Sequence, residues 1–136
     1  LYLGGQRDAA AKSLRSYVAS YPKGYYLTDA LYYLSDCYLL AGDRENAIGT
    51  LTRLAGQGTN QYSVTVLEKL SELTYEDKRY DEAAAAFRKL YDVTTTVAGR
   101  EDAMTGYVRA TLAGMAQLRN AEEVAAIRGK SVKDIL

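Results

Sequence analysis

Three glutamates, Glu68, Glu72 and Glu76, stand at i, i+4 and i+8 in the stretch "LEKLSELTYE". If that stretch is helical, the three carboxylates share one face. Like charges at this spacing destabilise an isolated helix by about 0.2 to 0.5 kcal/mol per pair, so a cationic neighbour or partner would compensate them. One chemistry for such a face is recognition, with carboxylates accepting hydrogen bonds from Lys or Arg of a basic or amphipathic segment. The competing reading is a solvated face that keeps the chain soluble, and it is favoured by how commonly helix surfaces are charged. A third chemistry would pair Asp36 with Glu72 as acid and base on a sugar. Nothing but proximity across adjacent helices would support it, and an open surface does not tune carboxylate pKa values as an enclosed pocket does.

Composition removes other chemistries. The 136 residues contain no histidine, which excludes the usual general base near neutrality, the commonest metal ligand and every His-dependent catalytic dyad. No catalytic residues, metal site or cofactor are expected. Cys37 is the single cysteine, so no internal disulfide can form. It lies in the apolar "YYLSDCYLL", where a buried, inert thiol is expected. Seventeen basic and seventeen acidic residues cancel, leaving no net field to attract nucleic acid or an anionic membrane. No run reaches the roughly 18 apolar residues of a membrane span. The aromatic content is lopsided, with thirteen tyrosines, one phenylalanine and no tryptophan. Tyr17, Tyr38 and Tyr80 are expected to pack helices together, and Tyr32, Tyr33 and Tyr75 to be available for contact.

The elements that must position these groups are helices. Apolar residues recur at helical spacing, strand-like alternation is scarce and Pro22 is the only proline. The first helix is predicted over about Gln6–Ser20, with Ala10, Leu14, Tyr17 and Val18 on one stripe. The second covers about Thr28–Leu40, burying Leu31, Leu34 and Tyr38. Gly42 breaks the chain, and Asp43 caps a third helix over Arg44–Ala55 that buries Ala47, Leu51 and Leu54. After the loop "GQGTNQ" come Ser63–Glu76, burying Val66, Leu67, Leu70 and Leu73, and Tyr80–Asp92, burying Ala83, Phe87 and Leu90. A last, less regular pair is expected over Arg100–Ala113 and Asn120–Arg128, with Ser131 capping the start of another helix.

The pairs share one register. Ala47 and Ala83 stand 36 residues apart, and Leu51/Phe87 and Leu54/Leu90 keep that interval. A fixed period of this size signals stacked repeats. The order Leu31, Leu34, Ser35, Tyr38, Gly42, Ala47, Leu51, Leu54 resembles the helix-turn-helix unit of the tetratricopeptide repeat family. It returns less completely as Leu67, Leu70, Ser71, Ala83, Phe87, Leu90, and a half-repeat with Gly5, Ala10, Leu14, Tyr17 and Pro22 precedes it. Lys78 departs from the pattern where Gly42 stands, and Thr74 where Tyr38 stands. The fold this implies is an all-α superhelix of antiparallel helix pairs in one domain. Its units would be a half-repeat over 1–22, full repeats over 28–56 and 63–94, a degenerate repeat over 100–128 and the start of a helix over 131–136. Neither end reads as a capping repeat, so the chain is expected to be a fragment.

The resemblance also implies a role. In such repeats the first helix of each pair lines a concave groove where a partner's peptide or helix docks. Carried over, the groove residues would be Asp29, Tyr32, Asp36, Glu68, Glu72, Tyr75, Glu76 and Glu101. The Lys/Asn/Arg clamp that holds a C-terminal carboxylate in chaperone-binding members is replaced here by Tyr32, Asp36, Glu68 and Glu72, which would repel that ligand. The expected partner is another protein. RNA is disfavoured by the acidic wall, since Arg53, Arg88 and Lys89 fall on second helices and should face outward. Self-association of two copies through exposed repeat ends is a further expectation. The wording "SYVASYPKGYYLTDALYYLSDCYLLAGDRENAI" is similar to bacterial envelope tetratricopeptide proteins such as the Tol-associated division coordinator and the barrel-assembly lipoprotein, which implies a periplasmic or envelope setting.

Overall fold

A computed structural model describes the backbone of residues 2–135 and the side chains of residues 5–129. Among these there are six helices and no strand: α1 (Tyr2–Ser20), α2 (Leu27–Leu40), α3 (Arg44–Ala55), α4 (Ser63–Glu76), α5 (Tyr80–Val93) and α6 (Val97–Ile135). Each packs chiefly on its neighbours in sequence, so the helices stack as a solenoid instead of closing around a centre.

The stack is held by alternation of large and small side chains at its contacts. Leu31, Ile48, Leu51, Leu54 and Val66 are at most 1% exposed, and each such burial contributes about 1.5 to 3 kcal/mol. Between them Ala47 and Ala83, 36 residues apart, are fully buried, as are Ser35 and Ser71 at the same interval. Small residues there let one helix approach another closely. The buried hydroxyls do not go unpaired: Ser35 donates to the Tyr32 carbonyl at 2.6 Å, Ser71 to Glu68 at 2.9 Å and Thr74 to Leu70 at 2.6 Å.

The turn within each full repeat is the same motif. After α2, the Gly42 amide donates to Leu39 and the Asp43 amide to Tyr38; after α4, Lys78 donates to Tyr75 and Arg79 to Thr74. These paired bonds form a Schellman cap, which needs a left-handed residue at its centre. Gly42 supplies it at φ 77°, and Lys78 adopts it at φ 61° despite its side chain. Asp43 then caps α3 by accepting from the Asn46 amide at 3.2 Å. Arginines bind across the stack: Arg7 of α1 donates to the Leu40 carbonyl, and Arg44 of α3 reaches Leu73, Glu76 and Asp77 at the end of α4.

Several expectations need correction. Ala10 is exposed and its neighbour Ala11 is buried instead, because Ala11 stands three and seven residues before Leu14 and Val18 on the face that packs on the core, where Leu14, Tyr17 and Val18 lie as expected. Cys37 is half-buried, at the margin of the core, and so are Tyr38 and Phe87. The largest difference concerns the last pair: one continuous helix, α6, replaces the two expected over Arg100–Ala113 and Asn120–Arg128 and runs through residue 131, whose side chain lies outside the described ones. Gly114 occupies the register of Gly42 and Lys78, yet stays helical. The residues beyond it supply the reason. Met115 stands where Asp43 caps α3, and Arg119 and Glu123 stand where Ala83 and Phe87 pack, so a returning helix would have no cap and would bring charge to the positions through which α5 packs. Beyond Gly114 every described side chain of α6 is exposed.

Unequal strain in the two equivalent turns gives a test. Gly42→Ala should lower stability by about 1 kcal/mol, whereas Lys78→Gly should raise it by about 1 kcal/mol. Urea unfolding of both variants measures this, and a destabilised Lys78→Gly protein would contradict the turn geometry.

Candidate functional site

The first helices of successive repeats, α2, α4 and α6, carry the residues whose types are not dictated by packing. At the 36-residue interval, Tyr32, Glu68 and Met104 are equivalent, as are Asp36, Glu72 and Val108, and Leu40, Glu76 and Leu112. The wall they form changes chemistry from one helix to the next.

Between α2 and α4 the polar groups satisfy one another. The Tyr62 hydroxyl donates to Asp29, and the Tyr62 ring stacks on Tyr32 with centroids 4.3 Å apart and planes 13° from parallel. Lys69 donates to Asp36 at 2.8 Å while its ammonium lies 5.0 Å from the Tyr32 centroid. Burial would push the Lys69 ammonium down, but the hydrogen bond and charge of Asp36 prevail and hold its pKa above the ordinary 10.5. The Asp29 hydrogen bond raises the Tyr62 hydroxyl above its ordinary 10.0. Asp29, Tyr32 and Asp36 are therefore brought together, and all three are engaged within the stack.

Between α4 and α6 the arrangement is different. Glu68 and Glu72 are exposed, and neither makes an ion pair among the described residues. They border a cavity of about 200 Å³ with Ser71, Phe87, Leu90, Asp102 and Ala103. This adjoins one of about 410 Å³ lined by Glu72, Tyr75, Phe87, Asp102, Gly106 and Arg109. A trough of about 590 Å³ continues it along Glu101, Met104, Thr105, Val108 and Arg109. Shared lining residues make the three one groove. Its walls run in the same direction, because Glu68 faces the Gly99–Ala103 end of α6 and Tyr75 faces the Gly106–Arg109 end.

The groove has a specific origin. Leu34 and Leu70 are buried at one register position, where the third repeat carries Gly106. Phe87 partly fills the space, and a Cβ on Gly106 would overlap its Cε1. The ring thus sits directly under the α6 backbone and forms the floor of the groove, beside Tyr75, which packs edge-on against Tyr80.

Of the eight expected site residues, Glu68, Glu72 and Tyr75 line this groove and Glu101 borders its open end. Glu76 turns away to Arg44, at 3.0 Å. The sequence reading missed Tyr62 and Lys69 in the first cluster and Asp102, Gly106, Met104 and Val108 in the second. A glycine at the register of two leucines was the available signal for the cavity.

Comparison with family models matches the description "Tetratricopeptide repeat" to residues 1–24 and 29–57. Those segments are α1 with its turn and the α2–α3 pair. The fold is a tetratricopeptide-type superhelix. Comparisons with curated proteins and with solved structures give no match. In the order of the helix pairs α2, α4 and α6 come first and α3 and α5 second, and Arg53, Arg88 and Lys89 are exposed on the second helices. Among the described residues no group of three His, Cys, Asp or Glu side chains could hold a metal ion, and no helix is long and apolar enough to cross a membrane.

The raised pKa values fix a pH dependence. Both groups bind their protons more tightly in the folded state, so their contribution is complete below the unfolded values and is lost as pH rises through the folded ones. The stability difference between wild type and Tyr62→Phe should be constant below pH 10.0 and shrink above it. Urea unfolding across alkaline pH measures it, and a difference that persists would show that the Tyr62–Asp29 bond does not contribute.

Proposed function

We propose that the chain is a non-catalytic scaffold whose inner-helix surface binds a basic or amphipathic segment of another protein. Tetratricopeptide repeats generally mediate protein–protein contacts. The observation that carries the finer reading is the contrast on the wall: Asp36 has its cation in Lys69, whereas Glu68 and Glu72 face the groove without one among the described residues. Carboxylates left unpaired along a groove favour Lys or Arg from a partner. An open groove, and a chain without histidine, support binding over catalysis.

The direct test is selection from a displayed library of random peptides, comparing wild type with Glu68→Lys/Glu72→Lys. Cation-rich sequences should be enriched on wild type, lost on the variant and weakened by moderate salt. Enrichment unchanged by the double substitution would move the site elsewhere on the molecule.

Self-association is a second reading, favoured by Leu112, Met115 and Leu118, which are 60%, 62% and 66% exposed on α6. The envelope setting rests on the "YPKGYYLTDALYYL" wording. Fractionation of the source cells that located the protein in the cytosol would overturn it.

A further inference from the structure

Two cavities open between α3 and α5 over a floor of α4, and they share no lining residue with the α4–α6 groove. One, of about 140 Å³, is bounded by Thr52 and Ala85 with Leu70 beneath; the other, of about 170 Å³, is bounded by Thr59 and Val93 with Val66 beneath. Each is close to the roughly 150 Å³ that holds a benzene-sized group, so each takes one large apolar side chain. Leu70 and Val66 are four residues apart on α4, which sets the two about 6 Å from one another. Lys89 lines both. The other charges at the rim already have partners, since Glu82 meets Arg79 at 2.7 Å and Asp92 meets Arg88 at 3.8 Å. Lys89 makes no ion pair among the described residues. The site therefore calls for two apolar side chains about one helical turn apart with a carboxylate beside them.

The chain carries that set itself, on the part of α6 whose described side chains are all exposed. Val124 and Ile127 are 48% and 64% exposed, and residues at i, i+3 hold their Cβ atoms about 5 to 6 Å apart. Glu123 stands one turn before Ile127 on the same face and makes no ion pair among the described residues. We propose that the Glu123, Val124 and Ile127 face of α6 docks in the α3–α5 cavities of a second copy of this chain, with one apolar side chain in each cavity and Glu123 paired with Lys89. This rests on the self-association reading above and moves its contact to another face of α6. The remaining exposed apolar residues of α6 fit less well. Leu112 and Met115 have the spacing, but Arg109 and Arg119 flank them and would bring a second cation to Lys89. Leu118 has Ala121 and Glu122 at i+3 and i+4, and so offers a single large anchor. Because α6 is continuous, it does not turn back to its own α3–α5 side, and the cavities it fills belong to another copy. Such a contact joins unlike surfaces, closing reciprocally between two copies or continuing from copy to copy.

Sedimentation of the whole chain over a dilution series reads the association, with circular dichroism checking that each variant keeps its helices. Wild type should associate. Lys89→Glu and Glu123→Lys should each raise the dissociation constant at least about tenfold, since each sets like charges against one another. Mixing the two variants in equal amounts should restore association, because every contact between unlike copies then joins opposite charges; a variant that was merely misfolded would not be rescued in this way. Ile127→Ser should weaken association as much as either reversal. Leu118→Ser should leave it unchanged, for Leu118 lies nine residues from Ile127, about two and a half turns, and so on the opposite face. A mixture that stays dissociated overturns the inference. If Leu118→Ser separates the copies and Lys89→Glu does not, self-association stands through the other face of α6 and this inference is overturned. If wild type stays monomeric at every dilution, the inference and the self-association reading fall together, and the binding of a basic segment in the α4–α6 groove is untouched.

Discussion

Close approach of neighbouring helices at a fixed interval is the constraint on which everything else in this molecule depends. Ala47 and Ala83, with Ser35 and Ser71, are fully buried because a larger residue at any of them would drive two helices apart. A solenoid has no separate centre to absorb such a shift, so a displacement at one contact passes to the next repeat. The repeated Schellman turns and the arginines that reach from one helix to the end of the next act on the same contacts. These surface arginines add orientation more than stability, since exposed ion pairs are worth little.

Once the contacts are fixed, the wall formed by α2, α4 and α6 is free to vary. Its positions face away from the packing, so their side chains change from Tyr and Asp on α2 to Glu on α4 and Met and Val on α6 without disturbing the stack. Between α2 and α4 the variation produces a closed set of partners: Tyr62 with Asp29, Tyr62 with Tyr32, Lys69 with Asp36 and Tyr32. Between α4 and α6 the corresponding set is missing. At the position of Lys69, α6 carries Thr105, and Gly106 removes the side chain that would close the space above Phe87. One substitution leaves carboxylates without a local cation, and the other opens a floor beneath them.

Where apolar periodicity and turn chemistry agreed, the helices were legible in the sequence: α3 and α4 have the predicted limits, and α5 differs by one residue. Where they disagreed the reading failed. The glycine at 114 invited a turn, but Met115 offered a returning helix no cap, and Arg119 and Glu123 would bring charge to the positions through which α5 packs. Weighing the face beyond the glycine above the glycine itself would have given the continuous helix. The candidate site was half legible. Spacing alone put Glu68 and Glu72 on one face, but no property of a single helix reveals whether a carboxylate meets its cation on another. Asp36 and Glu72 are equivalent by register, and only the packing shows that Lys69 reaches the first.

That equivalence bears on what kind of information a repeat array can hold. If the wall were only a solvating surface, each repeat would be under the same weak demand, and charge could be placed anywhere on it. Instead the polar groups of the first interface are consumed locally, and the second leaves Glu68 and Glu72 without a cation among the described residues, beside a groove where Phe87 occupies the place a Gly106 side chain would need. Each of these alone has a bland explanation in solubility or loose packing. Loose packing does not, however, account for the close fit of Phe87 against the Gly106 backbone. Both features lie on the side of α4 that faces α6, where a solvating role would account for the charges alone.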